Sequence, residues 1–463
     1  MLTRLQIYNF KAWRETGAIR LAPITVFFGP NSSGKSSLLQ LLLMLKQTVE
    51  SPDRQRVLHP GDDNTAVDLG TFQDMIFGHA PQEGLRFQFR WNLPKSLRVQ
   101  DPKSEASFSG DCLTFDAKIE QVSQTTKLRS RRLWFELAQR NRRLDSVLRV
   151  WMHPSENGQK YQLDAEGYKL VRNQGRKWEL PPPAKFYGFP DEAVAYYQNT
   201  GFLADLTLEL ERLFRRILYL GPLRDHPSRS YTWSGEQPGD VGWQGRRAIE
   251  AILAARGRKI SPGYKRPSKP FEAMIAHWLQ EMGLIESFRV QPIAQGRKDY
   301  EVLLKTRRGS DEVNLTDVGF GISQVLPVLV QCFYAPANSI LILEQPEIHL
   351  HPRVQASLAD LFIEAIRARE EHKDRNLQLL VESHSEHFLR RLQRRIAEEK
   401  LKPEEVAIYF CEPSARGSKI RELEIDPFGN ISNWPEDFFG DEMGDLAAMT
   451  EAAMARQIQG AGR

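Results

Sequence analysis

An almost unbroken apolar run, Ile24-Thr25-Val26-Phe27-Phe28, meets a Gly/Ser-rich stretch and then a helically spaced set of leucines. The pattern predicts a strand buried on both faces over 24–28, a tight loop, and a helix from Ser37 to Lys46. Upstream, Leu2 to Phe10 alternates apolar and polar positions as a half-buried strand does. Two more apolar runs, Ser339-Ile340-Leu341-Ile342-Leu343 and Leu377-Gln378-Leu379-Leu380-Val381, lie among helical patterns, which places them beside the first run in one sheet. The predicted class is therefore α/β, split in sequence, with 1–90 supplying one part of the sheet and 216–425 the other. Between them, 91–215 loosens into strands, a basic stretch, the Pro181-Pro182-Pro183 turn and a helical run over Leu203 to Leu213, and reads as an α+β insertion. A short segment, 426–463, ends in an Ala/Met-rich helix and a Gly-Ala-Gly tail. Neither an internal repeat nor a long heptad run is visible.

Composition changes this picture little. With 463 residues and 41% hydrophobic content the chain can bury a large core. No run of about 18 apolar residues occurs, and the amino terminus enters a strand pattern directly, so the expectation is a cytoplasmic protein without membrane contact. Cys112, Cys332 and Cys411 are too scattered for a disulfide framework or a zinc site. A net charge of +4 is too small to argue for nucleic acid by itself.

The chemistry begins at Gly29-Pro30-Asn31-Ser32-Ser33-Gly34-Lys35-Ser36, which fits G-x-x-x-x-G-K-[ST] at every fixed position and has the required strand and helix flanks. Such a loop cradles the phosphates of a nucleoside triphosphate on backbone N–H groups, making Gly29, Asn31, Ser33, Gly34 and Ser37 binding candidates. Lys35 is expected to reach the β- and γ-phosphates and Ser36 to ligate Mg²⁺. The run Ile340 to Leu343 delivers Glu344-Gln345-Pro346-Glu347-Ile348-His349-Leu350-His351-Pro352 at its carboxyl end, where open α/β sheets bind ligands, so Glu344 is the candidate Mg²⁺ acid opposite Ser36. Ahead of it, a loop over Asn314 to Gln324 precedes an apolar helix, Val325 to Phe333. Its Gly319, Gly321, Ser323 and Gln324 are placed to bind the γ-phosphate of a nucleotide held by another subunit. Finally, Val381-Glu382-Ser383-His384-Ser385 ends a strand on His384, a candidate γ-phosphate sensor.

These four motifs in this order resemble those of ABC-type ATPase heads of the RecF/SMC superfamily, in an OLD-like subgroup whose acidic motif continues as E-P-E-x-H-L-H-P. The opening Leu5-Gln6-Ile7-Tyr8-Asn9-Phe10-Lys11 resembles the family's first strand. The resemblance implies ATP and Mg²⁺ as cofactors, Lys11 as a neighbour of the nucleotide, and homodimers or higher assemblies of head pairs that sandwich ATP. Gly221-Pro222-Leu223-Arg224 and Trp434-Pro435-Glu436-Asp437-Phe438-Phe439 resemble a bacterial subgroup with a short uncharacterised carboxyl-terminal domain. The wider group includes ATPase subunits of antiphage systems such as PARIS and Septu. In one respect the sequence departs from the pattern: the family's catalytic glutamate is here Gln345, which cannot act as a general base. Slow hydrolysis is expected, with Gln345 orienting water or Glu347 polarising it; a native slow site is preferred to an engineered trap. The candidate catalytic set is Glu344, Gln345, Glu347 and His384.

Lys127, Arg129, Arg131, Arg132, Arg140, Arg142, Arg143 and Arg149 crowd part of the insertion, with Leu133, Trp134, Leu137 and Leu144 spaced as on an amphipathic helix. DNA or RNA contact and protein contact stand level there. A second basic loop, Arg256 to Arg266, carries Tyr264 as a possible base-stacking residue, whereas Arg390, Arg391, Arg394 and Arg395 read as the exposed face of a helix. His349 and His351 are read as structural or nucleotide-proximal, not as zinc ligands. No appended nuclease is evident. Two functional readings follow: an ATP-driven sensor and scaffold that controls a separate effector, expected to be a nuclease, or a RecF-like ATPase that closes on DNA.

Overall fold

The computed structural model describes residues 1–103, 107–122, 125–140, 147–155, 160–175, 179–435, 438, 447–454 and 456. Its central sheet has six strands in the order Ile217–Leu220, Ile340–Glu344, Gln378–Glu382, Ile24–Phe28, Val406–Glu412 and Lys419–Glu422. The first five run parallel and the last is antiparallel. The three apolar runs meet here as expected, with Gln378–Glu382 between the loop-bearing strand and the acidic strand. These strands are buried at every position because both faces are covered. Ile24, Val26, Phe28, Leu341 and Leu343 enter one core, while Phe27, Ile340 and Ile342 enter the other.

On the first core sit the helices Phe320–Tyr334, Pro352–Arg367 and Glu386–Ala397. The last buries Phe388, Leu389, Leu392 and Ile396; Arg390 and Arg394 face outward as expected, whereas Arg391 and Arg395 are half-buried and pair with Asp360 of the helix Pro352–Arg367. The second core holds the loop-following helix, Lys35–Glu50, longer at both ends than the leucine spacing marks, and Phe202–Arg215. Beyond them lies an antiparallel eight-stranded sheet in which Leu2–Phe10 pairs with Leu85–Gln100, followed by Ser107–Gln121, Leu128–Ala138, Leu148–Pro154 and Tyr161–Glu166. Phe87, Phe89, Phe115 and Phe135 line its inner face and meet Phe186 and Phe214. Gln378 ties the two sheets together: its amide accepts from Leu2 N (2.9 Å) and donates to Leu2 O (2.7 Å) and Ala22 O (3.0 Å).

Two expectations about local structure are corrected. The stretch read as an amphipathic helix is the strand Leu128–Ala138, in which Leu133, Phe135 and Leu137 are buried while Trp134 and Glu136 are half-buried, a period of two. Leu144, Arg142, Arg143 and Asp145 lie outside the described residues. The helix expected from Val325 begins at Phe320, so Ser323 and Gln324 belong to its first turn and not to a loop. Near the carboxyl terminus, Phe438 packs on Phe28 and Phe410, and Trp434 lies under the Arg390 guanidinium. Residues 447–454 are helical, whereas Glu436, Asp437, Phe439 and the Gly-Ala-Gly tail fall outside the described residues. Among the described residues no helix is long and apolar enough to cross a membrane.

Candidate functional site

The loop after Phe28 turns on left-handed residues, Gly29 (φ 140°), Ser32 (φ 61°) and Gly34 (φ 91°), a pattern that curls successive N–H groups around a concave anion site. A Cβ at Gly29 would lie 2.1 Å from the Cys411 carbonyl oxygen, and one at Gly34 would lie 3.0 Å from the Trp13 ring. Asn31 and Ser32 are exposed at the rim, and Ser33 is buried. Lys35, only 3% exposed, donates to Gly29 O (2.9 Å) and Pro30 O (2.7 Å) and lies 3.5 Å from Ser33 Oγ. Burial lowers its pKa, and the Glu382 charge works against that shift.

Lys11 is not drawn to this loop: its ammonium reaches Leu69 O (3.5 Å). The neighbour that does reach it is Trp13, whose indole N–H lies 3.0 Å from Gly34 O and 2.9 Å from Ser37 Oγ. Ser37 in turn donates to Gly34 O (2.7 Å), so its hydroxyl braces the loop from beneath.

Glu344 and Glu382 end adjacent parallel strands in register, which sets two carboxylates side by side below Ser36. Ser36 Oγ donates to Glu382 Oε1 (3.0 Å), and Tyr219 hydrogen-bonds Glu344. Burial and the Glu382 charge push Glu344 up to about 8, and burial also raises Glu382. Glu344 Oε1 and Glu382 Oε2 are buried without a hydrogen-bond partner among the described residues. A hydroxyl and two carboxylates with vacant inward oxygens form a hard, all-oxygen donor set, which suits Mg²⁺, and a divalent cation there would reverse the mutual destabilisation of the acids. Glu382 was missed from sequence. Its signal was available, since it stands at the end of its apolar run as Glu344 does in its own.

Gln345 is held in the left-handed region (φ 43°), its N–H on Glu382 O (2.9 Å). Glu347 is buried, with Oε1 accepting from Ser383 Oγ (2.9 Å) and His384 N (2.6 Å). That use makes it a brace between two loops. His384 itself is exposed, and burial of part of its ring, with Lys35 nearby, holds its pKa below the ordinary histidine value. Arg224, also missed, is buried beneath and donates through Nη2 to Glu344 O (3.2 Å) and Gln345 O (3.3 Å).

Gly319 and Phe320 are exposed at the amino end of the helix Phe320–Tyr334, and Gly321 is half-buried. Ser323, 6% exposed, turns its hydroxyl onto Phe320 O (2.8 Å), and Gln324 is buried. The serine hydroxyl is therefore engaged within its own turn, and the exposed end of the helix is formed by Gly319 and Phe320. His349 packs edge-on against Phe320, and His351 caps the following helix by accepting from Arg353 N (3.3 Å).

Among the described residues, four of the insertion arginines pair with acids across the sheet. Arg129 and Arg131 pair with Glu120, Arg140 with Asp111, and Arg149 with Glu136 and Glu166. Strand register brings these acids in from segments that sequence inspection kept apart. On the second loop, Arg256 pairs with Glu272 and Arg258 with Glu370, while Tyr264 is exposed between Lys265 and Arg369.

Residues 1–129 match a family described as "AAA ATPase domain", and residues 202–390 one described as "AAA domain, putative AbiEii toxin, Type IV TA system". Residues 401–449 match "Protein of unknown function (DUF3696)". No curated protein matches the chain. Similar solved structures include the SMC head domain from Thermotoga maritima, 12% identical over 92% of this chain and 99% of that one, with a TM-score of 0.40. An SMC head bound to the C-winged-helix domain of ScpA is 10% identical over 91% and 98%, with a TM-score of 0.41. An Smc head with an extended coiled coil, bound to the carboxyl-terminal domain of ScpA from Pyrococcus furiosus, is 10% identical over 91% and 96%, with a TM-score of 0.39. The chain has a mixed α/β fold with a P-loop, split in sequence around an antiparallel sheet, and two of its stretches match ATPase-domain families.

Proposed function

We propose that the protein binds ATP with Mg²⁺, hydrolyses it slowly, and uses ATP-driven pairing of two heads to control a separate effector protein, a nuclease in an antiphage system. The observation that carries the ATPase part is the gathering of Ser36, Glu344 and Glu382 at the foot of a glycine loop with left-handed turns at Gly29, Ser32 and Gly34 and a buried Lys35. Ser36, Glu344 and Glu382 would hold the metal, which when bound neutralises phosphate charge. Lys35 would leave the Gly29 and Pro30 carbonyls for the phosphates. Gln345 would orient water without accepting its proton, the basis for slow turnover.

Pairing is favoured by the exposed amino end of the helix Phe320–Tyr334, whose first N–H groups have no partner within the helix. On closure these groups would meet the partner's γ-phosphate first, and Ser323 would join only by rotating off Phe320 O. One matched family is named for a toxin of a toxin–antitoxin system, a two-component arrangement that favours an effector in trans. A DNA-closing role draws little support from the insertion, four of whose arginines are paired with acids.

The test is particle mass and phosphate release with and without ATP and Mg²⁺. The mass is expected to at least double with ATP, turnover to be slow, and Gln345→Glu to raise the phosphate-release rate about tenfold by restoring a general base. A chain that stays monomeric and indifferent to ATP would overturn the reading.

A further inference from the structure

Three loops converge beneath Gln345, one from each of three neighbouring strands. The first follows Ile217–Leu220 and brings Arg224; the second follows Ile340–Glu344 and carries Gln345 and Glu347; the third follows Gln378–Glu382 and carries Ser383 and His384. Their polar groups form one network. Arg224 Nη2 holds the carbonyls of Glu344 and Gln345, the Gln345 N–H is held by Glu382 O, and Glu347 Oε1 holds Ser383 and the His384 N–H.

Arg224 is 6% exposed, and its Nε and Nη1 have no hydrogen-bond partner among the described residues; neither does Glu347 Oε2. Of the charges around the buried guanidinium, the Glu347 carboxylate opposes it most strongly, so the two compensate each other. A buried arginine with a single engaged nitrogen is a costly way to hold two carbonyls, unless the geometry of those carbonyls matters. What it fixes is Gln345, one of two left-handed residues of the acidic loop and the one that would orient the attacking water.

We propose that Arg224, with Glu347, is a positioning residue for hydrolysis: it locks the Gln345 backbone and the His384 loop in one arrangement, so that water alignment and γ-phosphate sensing occur together. This rests on the ATPase reading above. Nη2 alone engages both carbonyls, and a lysine ammonium, one atom shorter in reach than a guanidinium Nη, falls short of that point. Arg224 touches neither nucleotide nor metal in this scheme, so its loss should leave binding intact.

The experiment compares wild type, Arg224→Lys, Arg224→Met and Arg224→Met/Glu347→Gln. It measures Kd for ATP with Mg²⁺, the phosphate-release kcat, and the unfolding midpoint. Arg224→Lys is expected to keep Kd within about twofold while kcat falls about tenfold, the pattern of a lost transition-state arrangement. Arg224→Met should unfold at a lower temperature because it strands Glu347, and the double variant should recover the midpoint but not kcat. A kcat for Arg224→Lys equal to wild type, or a Kd that rises in step with the loss of kcat, overturns the positioning role while leaving the ATPase reading in place. Absence of turnover in the wild type overturns both.

Discussion

Lys35→Met is expected to weaken ATP binding by about 100-fold while leaving the nucleotide-free protein as stable as wild type or slightly more so. Hydrogen bonds from a charged group contribute up to about 3 kcal/mol, and each 1.4 kcal/mol is a tenfold change in Kd. The sign on stability comes from what surrounds the ammonium. It is 3% exposed and engages carbonyl dipoles and a hydroxyl with no carboxylate in contact, while burial already lowers its pKa. A buried charge in such company is held at a cost that triphosphate would offset. Methionine has a similar length and no charge, and the two carbonyls it releases belong to Gly29, half-buried, and Pro30, exposed, so water can reach them. Isothermal titration with ATP and Mg²⁺, together with denaturant unfolding without nucleotide, checks both halves. An unchanged Kd would remove Lys35 from the phosphate site, and a marked loss of stability would mean that the ammonium is structural.

The parts of this site that were legible in the sequence are those written locally. The strand Ile24–Phe28 is apolar from end to end, the loop has its glycines at fixed offsets, and Glu344 and His384 stand at or just beyond the ends of short apolar runs. The parts that were not legible depend on register between distant segments. Glu382 becomes a partner of Glu344 only because two parallel strands align Ile340 with Gln378. Arg224 reaches the site through a loop whose direction no periodicity encodes, and Trp13 from the start of a three-residue strand, Trp13–Glu15. The misread stretch around Leu133 shows the reverse failure: apolar residues at 133, 134 and 137 satisfy a helical spacing, while 133, 135 and 137 satisfy a strand. Cross-strand pairing with Ser107–Gln121 and Leu148–Pro154 decided it, and the same pairing supplies the acids that neutralise the arginines.

Lys185→Met is expected to destabilise the fold by about 3 kcal/mol without disturbing the phosphate loop directly. The helix Lys35–Glu50 points its amino end at the phosphate site, and its carboxyl end is buried against the segment carrying Lys185. There the Lys185 ammonium, a residue in the left-handed region (φ 50°), donates to Thr48 O (2.9 Å), Val49 O (3.1 Å) and Ser51 O (2.8 Å). Those are carbonyls that the helix leaves unpaired at its negative end, and a cation is the group best suited to them. Helix Phe320–Tyr334 is treated alike, with Arg375 donating to Cys332 O and Ala335 O and Arg258 to Tyr334 O. Both helices whose amino ends face the proposed nucleotide are thus anchored at the far end by a cation from another segment. At Lys185 the flanking Phe186 and Tyr187 are fixed in the core against Phe87, Phe115 and Phe214, so the anchor cannot follow a moving helix. Methionine fills the space but leaves the buried Thr48 and Val49 carbonyls and the half-buried Ser51 carbonyl without this donor, and the loss should appear in denaturant titration at the first unfolding transition. ATP affinity should stay within about twofold of wild type, because the contact lies a full helix length from the loop. A loss below about 0.5 kcal/mol would show that water replaces the ammonium and that the carboxyl end of the helix needs no cation.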